Sequence, residues 1–301
     1  MTNINRTRAL FNDFLNLPRG KYVPVDMAAG GTIGFARGAF AVSYDRELVT
    51  VPGCEFFNGV PDMELVLDKE RRKGWQAGTD IALGDLYANN EPFGLCSRGT
   101  VKRAVKDWES LGYFPFIGLE TEAYIFQRDE DGIWRPYDTP GAFVYSTGPE
   151  SDPKGVMDDI WEAAYAADIP IESMNGEFDN GQFELTMKFD HAVKACDDAF
   201  LMRTMAREIG LKKGLLLTFL PKPVPDRGGS GLHVNFSLKD KDGNNAIAPT
   251  GGLSELAEHC VAGLIEHHPA LAGMLATTVN SYDRLNPGGL AGYWANWAED
   301  H

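Results

Sequence analysis

Basic residues are scarce in this chain: Lys and Arg number 28 against 43 Asp and Glu, for a formal net charge of −15. Phosphate backbones are bound by basic surfaces that release counterions, so nucleic acid is excluded as a partner class. Long apolar runs are absent as well. No stretch reaches the roughly 18 apolar residues that a membrane-spanning helix needs, so no membrane partner is expected. The amino-terminal residues 1–17 mix Asn, Arg and Asp with isolated apolar side chains and lack the apolar core of an export signal. Cysteine is sparse too. Cys54, Cys96, Cys196 and Cys260 lie far apart with no CxxC pair, which argues against a zinc or dithiol site and for reduced thiols in a cytoplasmic protein.

What is present is an ordinary globular composition, 44% hydrophobic and 24% charged over 301 residues, long enough for about two domains. Residues 1–95 read as a small β-rich domain, with strands expected over Tyr22 to Met27, Ile33 to Tyr44, Leu48 to Val51 and Asp80 to Tyr87, punctuated at Gly30-Gly31 and Asn89-Asn90. From Ser97, apolar residues at Val101, Ala104, Val105, Trp108 and Leu111 predict a helix behind a good capping residue. Helices are also expected over Gly155 to Ala167, over Ala192 to Lys213, and as a pair over Leu253 to Ala276 divided at Pro269. The fold class is α+β, with the second domain running over residues 96–301.

Three segments carry the chemistry, each a strand with one polar face. In Gly118 to Phe126, alternation puts Glu120 and Glu122 on one side and Leu119, Ala123 and Ile125 on the other. Two neighbouring carboxylates repel, and one pKa rises unless a cation intervenes. In Asn175 to Leu185, Gln182, Glu184 and Thr186 oppose an apolar face of Phe183, Leu185 and Met187, while the Asn180-Gly181 turn can fold Glu177 back towards Glu184. In Gly228 to Leu238, His233, Asn235 and Ser237 share a face, Val234, Phe236 and Leu238 are expected to pack behind it, and a glycine-rich loop leads in with backbone N–H groups suited to an anion. A lone Glu-x-Glu, glycine turn or histidine is ordinarily structural. Together, four carboxylates and one imidazole make a site for a hard divalent cation, Mg²⁺ or Mn²⁺, because unpaired charges there would each cost on the order of several kcal/mol.

These residues resemble the glutamine synthetase family. Gly118 to Phe126 is similar to its first metal strand, Glu177 with Gly181 to Glu184 to its second, and Lys222-Pro223 through His233 and Ser237 to its ATP-binding signature; Asn90 to Phe93 and Ser281 to Leu285 also fall in the family's order. The resemblance implies a small β-grasp-like domain before a catalytic domain with a curved antiparallel sheet and flanking helices. It implies Glu122, Glu177 and Glu184 on one metal ion and Glu120 and His233 on a second. It places Glu172, Asn235 and Ser237 near ATP, Gly229 and Arg284 on glutamate, and Arg284 in the catalytic set. The activity implied is phosphoryl transfer from ATP to the γ-carboxylate of glutamate followed by attack of an amine, in a homo-oligomeric ring with sites between subunits.

The departures bear on the amine. The family resemblance also marks two departures: members that use ammonia carry an Asp-Gly-Ser-Ser run where this chain has Phe56 to Asp62, with Asn58 and without that aspartate, and a glutamate six residues after the substrate arginine, where this chain has Leu290. Gly228 stands where a glutamate-binding asparagine is usual. An apolar flap suits an alkylamine such as methylamine, ethanolamine or a polyamine, since buried carbon surface gains about 25 cal/mol per Å². The alternatives are an ammonia-using glutamine synthetase and a non-catalytic assembly or regulatory protein. Family members continue past the position of Asp300-His301 with an arginine-rich segment and another metal-binding glutamate, so the chain is expected to be incomplete at its carboxyl end.

Overall fold

A computed structural model of the chain describes residues 4–54, 59–287 and 290–298. The strands are β1 (Arg6–Asn12), β2 (Pro18–Pro24), β3 (Thr32–Ala36), β4 (Asp62–Leu67), β5 (Arg72–Lys73), β6 (Thr79–Ala88), β7 (Glu91–Pro92), β8 (Tyr113–Arg128), β9 (Trp134–Pro136), β10 (Ile171–Gly176), β11 (Gln182–Met187), β12 (Asp190–His191), β13 (Leu215–Thr218) and β14 (Leu232–Asp240). The helices are α1 (Val25–Ala29), α2 (Ser97–Ser110), α3 (Val156–Ala166), α4 (Ala192–Lys212), α5 (Glu255–Glu266), α6 (His268–Leu275) and α7 (Val279–Arg284). The class is α+β, with two seven-stranded sheets among the described residues. The chain divides into one compact unit of Met1–Asp107, Glu162–Ile169 and Cys196–Thr204 and a second of Trp108–Trp161, Pro170–Ala195 and Met205–His301.

In the first unit the sheet runs β2-β1-β6-β4-β3, with β5 and β7 also on β6 and a parallel pairing between β1 and β6. Alternation fixes its buried face. Met63, Leu65 and Leu67 of β4 join Ala9 and Phe11 of β1 and Leu86 of β6 in a core that Phe40 completes. Two of the expected strands end early, and the one expected over Leu48 to Val51 does not form. The chain leaves β2 at Pro24, whose ring withholds the donor that a ladder needs, and enters α1. β3 ends at Ala36 and a 3-10 turn over Arg37–Ala41 buries Phe40. Leu48 makes only an isolated bridge with Val42. In the same unit Arg98, at the start of α2, pairs with Asp68 at 2.6 Å, Asp85 at 2.8 Å and Asp197 at 2.9 Å.

The second unit is organised by β8, whose sixteen residues accept β9, β11, β12, β13 and β14, with β10 outside β11. The reverse face is apolar: Leu119, Ala123 and Ile125 of β8 and Phe183, Leu185 and Met187 of β11 are buried. Helix α4 packs closely at Gly210, where a Cβ would stand 2.2 Å from Leu217 Cδ1 of β13. That explains a glycine inside a long helix, which otherwise costs about 1 kcal/mol relative to alanine. The pair expected over Leu253 to Ala276 is α5 and α6; their division falls at His267, leaving Pro269 in the first turn of α6 where its missing N–H is harmless. One expectation for β14 fails in part: Leu238 is buried, but Val234 and Phe236 are 56% and 42% exposed.

Candidate metal and nucleotide site

The strand registers bring the polar faces together. Glu184 of β11 lies opposite Glu122 of β8, Thr186 opposite Glu120, and Gln182 opposite Tyr124. Glu120 is paired on its other side with His233 of β14, and Asn175 of β10 lies opposite Glu184. Directly opposed residues project to the same face, so Glu120, Glu122, Glu184 and His233 converge by backbone geometry alone. Glu177 follows β10 and donates its backbone N–H to Gln182 O at 3.0 Å across the turn at Gly181, whose φ of 78° suits glycine.

The side chains tighten this arrangement. His233 Nδ1 lies 3.0 Å from Glu120 Oε2, and Asn235 Nδ2 donates to Glu120 Oε1 at 2.7 Å, so Glu120 is held from two positions on β14. His233 Nε2 stands 3.9 Å from Glu122 Oε1. Gln182 Nε2 donates to Glu122 Oε2 at 3.0 Å and to Gly229 O at 3.0 Å, tying a carboxylate to the glycine loop. Tyr124 donates to Gly228 O at 2.9 Å, and Gly228 N–H donates to Asp179. Gln182 and Tyr124 sit on the polar faces that alternation marks, where a neutral amide and a phenol carry no local signal of a supporting role.

Glu120, Glu184 and His233 each offer a ligand atom, and these lie within 4.8 Å of one another. Hard oxygen donors with one imidazole suit Mg²⁺ or Mn²⁺. The electrostatics agree with that fit. Burial pushes the Glu177 carboxyl above its ordinary value, and the charges of Glu122 and Glu184 push it further. Burial likewise raises Glu184, and Glu120 and Glu122 add to the shift. Like charges concentrated on a partly buried face call for a cation. The grouping differs in emphasis from the one the family resemblance implies, since Glu184 here stands with Glu120 and His233.

The glycine loop and α7 frame the same face. A Cβ on Gly231 would meet Glu122 Oε1 at 2.6 Å and His233 Nε2 at 2.9 Å, so only glycine fits there without displacing both groups. A Cβ on Gly229 would meet Arg284 Cγ at 2.6 Å, which places Arg284 against this loop. Arg284 ends α7, which begins with a capping box between Thr278 and Ser281. Asn280 fastens the helix to the loop, accepting from Lys222 N at 2.7 Å and donating to Lys222 O at 2.8 Å. Ser237 shares the face of His233 and Asn235 two residues further along β14, opposite Phe116. Glu172 is exposed at a register shift between Ile171 and Ser173 and stands outside the three-donor group. Leu290 is 86% exposed, and Asn58 lies outside the described residues.

Residues 94–301 match the family model described as glutamine synthetase, catalytic domain. The chain is 30% identical over 301 residues to a glutamine synthetase of Pyrococcus woesei, covering 98% of this chain and 65% of that protein. It is 31% identical over 316 residues to the γ-glutamylputrescine synthetase of Escherichia coli, covering 99% of this chain and 67% of that protein. A solved GmaS/ADP complex superposes with a TM-score of 0.81 at 25% identity, covering 95% of this chain and 66% of that one. The chain thus spans about 65% of the length of the first of these relatives. On the family model and these likenesses, the chain belongs to the glutamine synthetase family.

Proposed function

We propose that this chain belongs to an ATP-dependent ligase that joins the γ-carboxyl of glutamate to a substituted amine. The observation that carries the reading is the convergence of Glu120, Glu184 and His233 on one sheet face, framed by the glycine loop and Arg284. In this reading the five residues Glu120, Glu122, Glu177, Glu184 and His233 hold Mg²⁺ or Mn²⁺, and the ions when bound supply the positive charge that neutralises phosphate oxygens. Glu172, Asn235 and Ser237 belong to the nucleotide side, and Asn235 also fixes the orientation of Glu120. Arg284 and the Gly229 backbone bind glutamate, the guanidinium meeting its carboxylate. The γ-carboxylate oxygen attacks the terminal phosphorus of ATP, ADP leaves, and the acyl phosphate is then attacked by the amine nitrogen, which loses a proton as phosphate departs.

An apolar Leu290, exposed six residues after Arg284, supports an amine with a carbon body over ammonium, and likeness to a γ-glutamylputrescine synthetase supports the same choice. We assign residues 1–95 to a β-grasp-like domain and the chain from residue 96 to the catalytic domain, working in a cytoplasmic ring of identical subunits. No helix among the described residues is long and apolar enough to cross a membrane. The test is glutamate-dependent ADP release by the full-length protein with ammonia, methylamine, ethanolamine and putrescine. Faster turnover with one of the three substituted amines is expected; fastest turnover with ammonia contradicts the acceptor assignment.

A further inference from the structure

The glycine loop is placed by individual bonds rather than by regular structure. Residues 219–231, between β13 and β14, form no helix or strand. The loop is closed on itself by Ser230 N–H to Pro221 O at 2.8 Å, and Asn280 of α7 holds it at Lys222. Pro221, Pro223 and Pro225 restrict the backbone on the way in, and a turn from Val224 O to Arg227 N–H at 3.2 Å delivers the chain to Arg227.

Arg227 then makes three bonds away from the loop. Its Nη1 donates to Asp138 Oδ1 at 2.6 Å and its Nη2 to Asp138 Oδ2 at 2.7 Å, while Nη1 also donates to Asn180 O at 2.7 Å. The two anchors are tied to each other. Thr139 N–H donates to Asn180 Oδ1 at 2.9 Å, and Asn180 Nδ2 donates to Thr139 O at 2.8 Å. One guanidinium thus grips the segment after β9 and the turn that links Glu177 to β11. A planar fork can satisfy a carboxylate and a carbonyl together in a fixed direction, which an ammonium cannot.

The grip passes directly to the glycines. Gly228 N–H donates to Asp179 in the same turn, and Gly229 O accepts at 3.0 Å from Gln182 Nε2, which also holds Glu122. The ion pair itself is open to water, with Arg227 25% and Asp138 48% exposed, so it adds little to global stability. Its geometry serves placement instead.

We infer that Arg227 is a positioning residue for the acid substrate, latching the glycine loop to Asp138 and Asn180 so that Gly229 is held against the carboxylate face. This rests on the ligase reading, which puts Gly229 on glutamate.

Arg227→Gln removes charge and fork, whereas Arg227→Lys keeps the charge and loses the fork. In the full-length protein with Mn²⁺ and ADP present, calorimetric titration with glutamate should show both variants weakened by about tenfold. Mn²⁺ affinity should stay within about twofold of the wild type, because strand register sets Glu120, Glu184 and His233. Amide hydrogen exchange at Gly228 and Ser230 should quicken by at least about tenfold in both variants, with β8 still protected and the melting temperature nearly unchanged. Unchanged exchange, unchanged glutamate affinity, or an equal loss of Mn²⁺ affinity overturns the inference. So does a lysine variant that behaves as the wild type. Quickened exchange in the variants of a protein whose wild type binds no glutamate would overturn the ligase reading and leave Arg227 as the latch of the loop.

Discussion

Glu184 stands directly across the β8–β11 pairing from Glu122, and the two carboxylates share one face of the sheet. Opposed like charges destabilise a strand pair, commonly by a few tenths of a kcal/mol to about 1 kcal/mol. Glu184→Gln removes one charge and preserves shape. The variant should therefore melt higher than the wild type in chelator and bind Mn²⁺ at least about tenfold more weakly, a loss of about 1.4 kcal/mol. Calorimetric unfolding with and without Mn²⁺ checks both halves.

The raised Glu177 and Glu184 carboxyls set a pH dependence. Both lie above an ordinary value of 4.5 in the folded chain, so between that value and the folded one the native state holds more protons than the unfolded state. In chelator their contribution to stability is then greatest at low pH and declines as pH rises through that window. Mn²⁺ requires the deprotonated carboxylates, so its stabilising effect should grow over the same interval. Melting curves collected in chelator and in Mn²⁺ from pH 4 to 8 should diverge as pH rises; parallel curves would argue against a shared carboxylate site.

Gly231→Ala tests the close approach of the loop. Its Cβ would press on Glu122 Oε1 at 2.6 Å and His233 Nε2 at 2.9 Å, and overpacking of this kind costs about 1–3 kcal/mol. Mn²⁺ affinity should fall by more than tenfold with a modest loss of melting temperature. Unchanged affinity would argue against Glu122 and His233 as ion ligands.

Arg98 predicts a different outcome, confined to the first unit. Its side chain is 13% exposed among Asp68, Asp85 and Asp197; burial pulls its pKa down, and the three carboxylates outweigh that and raise it. Arg98→Met leaves the largely buried Asp197 without the guanidinium it bonds, with the charge of Arg72 remaining nearby, and breaking a largely buried pair typically costs about 3 kcal/mol. Chemical denaturation should register that loss, while a change under about 1 kcal/mol would show the network to be solvent-screened.

The legible parts of the fold were those with a strong period. Alternation in β8, β11 and β14 marked the faces carrying Glu120, Glu184 and His233, and helical spacing marked α2 and α4. Register was not legible, because nothing local states that His233 pairs with Glu120, 113 residues away. The supports were hidden for the same reason: Gln182 and Asn235 matter through partners that only folding brings near. Residues 143–146 lack the glycine that normally announces a left-handed turn, so the positive φ of Tyr145 had no local signal. Similarly, the 3-10 turn after β3 follows from burial of Phe40, a tertiary effect that outweighs the strand-like run.

Equilibrium binding of Mn²⁺ to the wild type, Glu120→Ala and His233→Ala tests the central claim most directly. Those two side chains lie 3.0 Å apart within the three-donor group that is proposed to hold the ion. The metal assignment predicts saturable binding by the wild type and a loss of at least about tenfold in each variant. Equal affinity in all three proteins would contradict it.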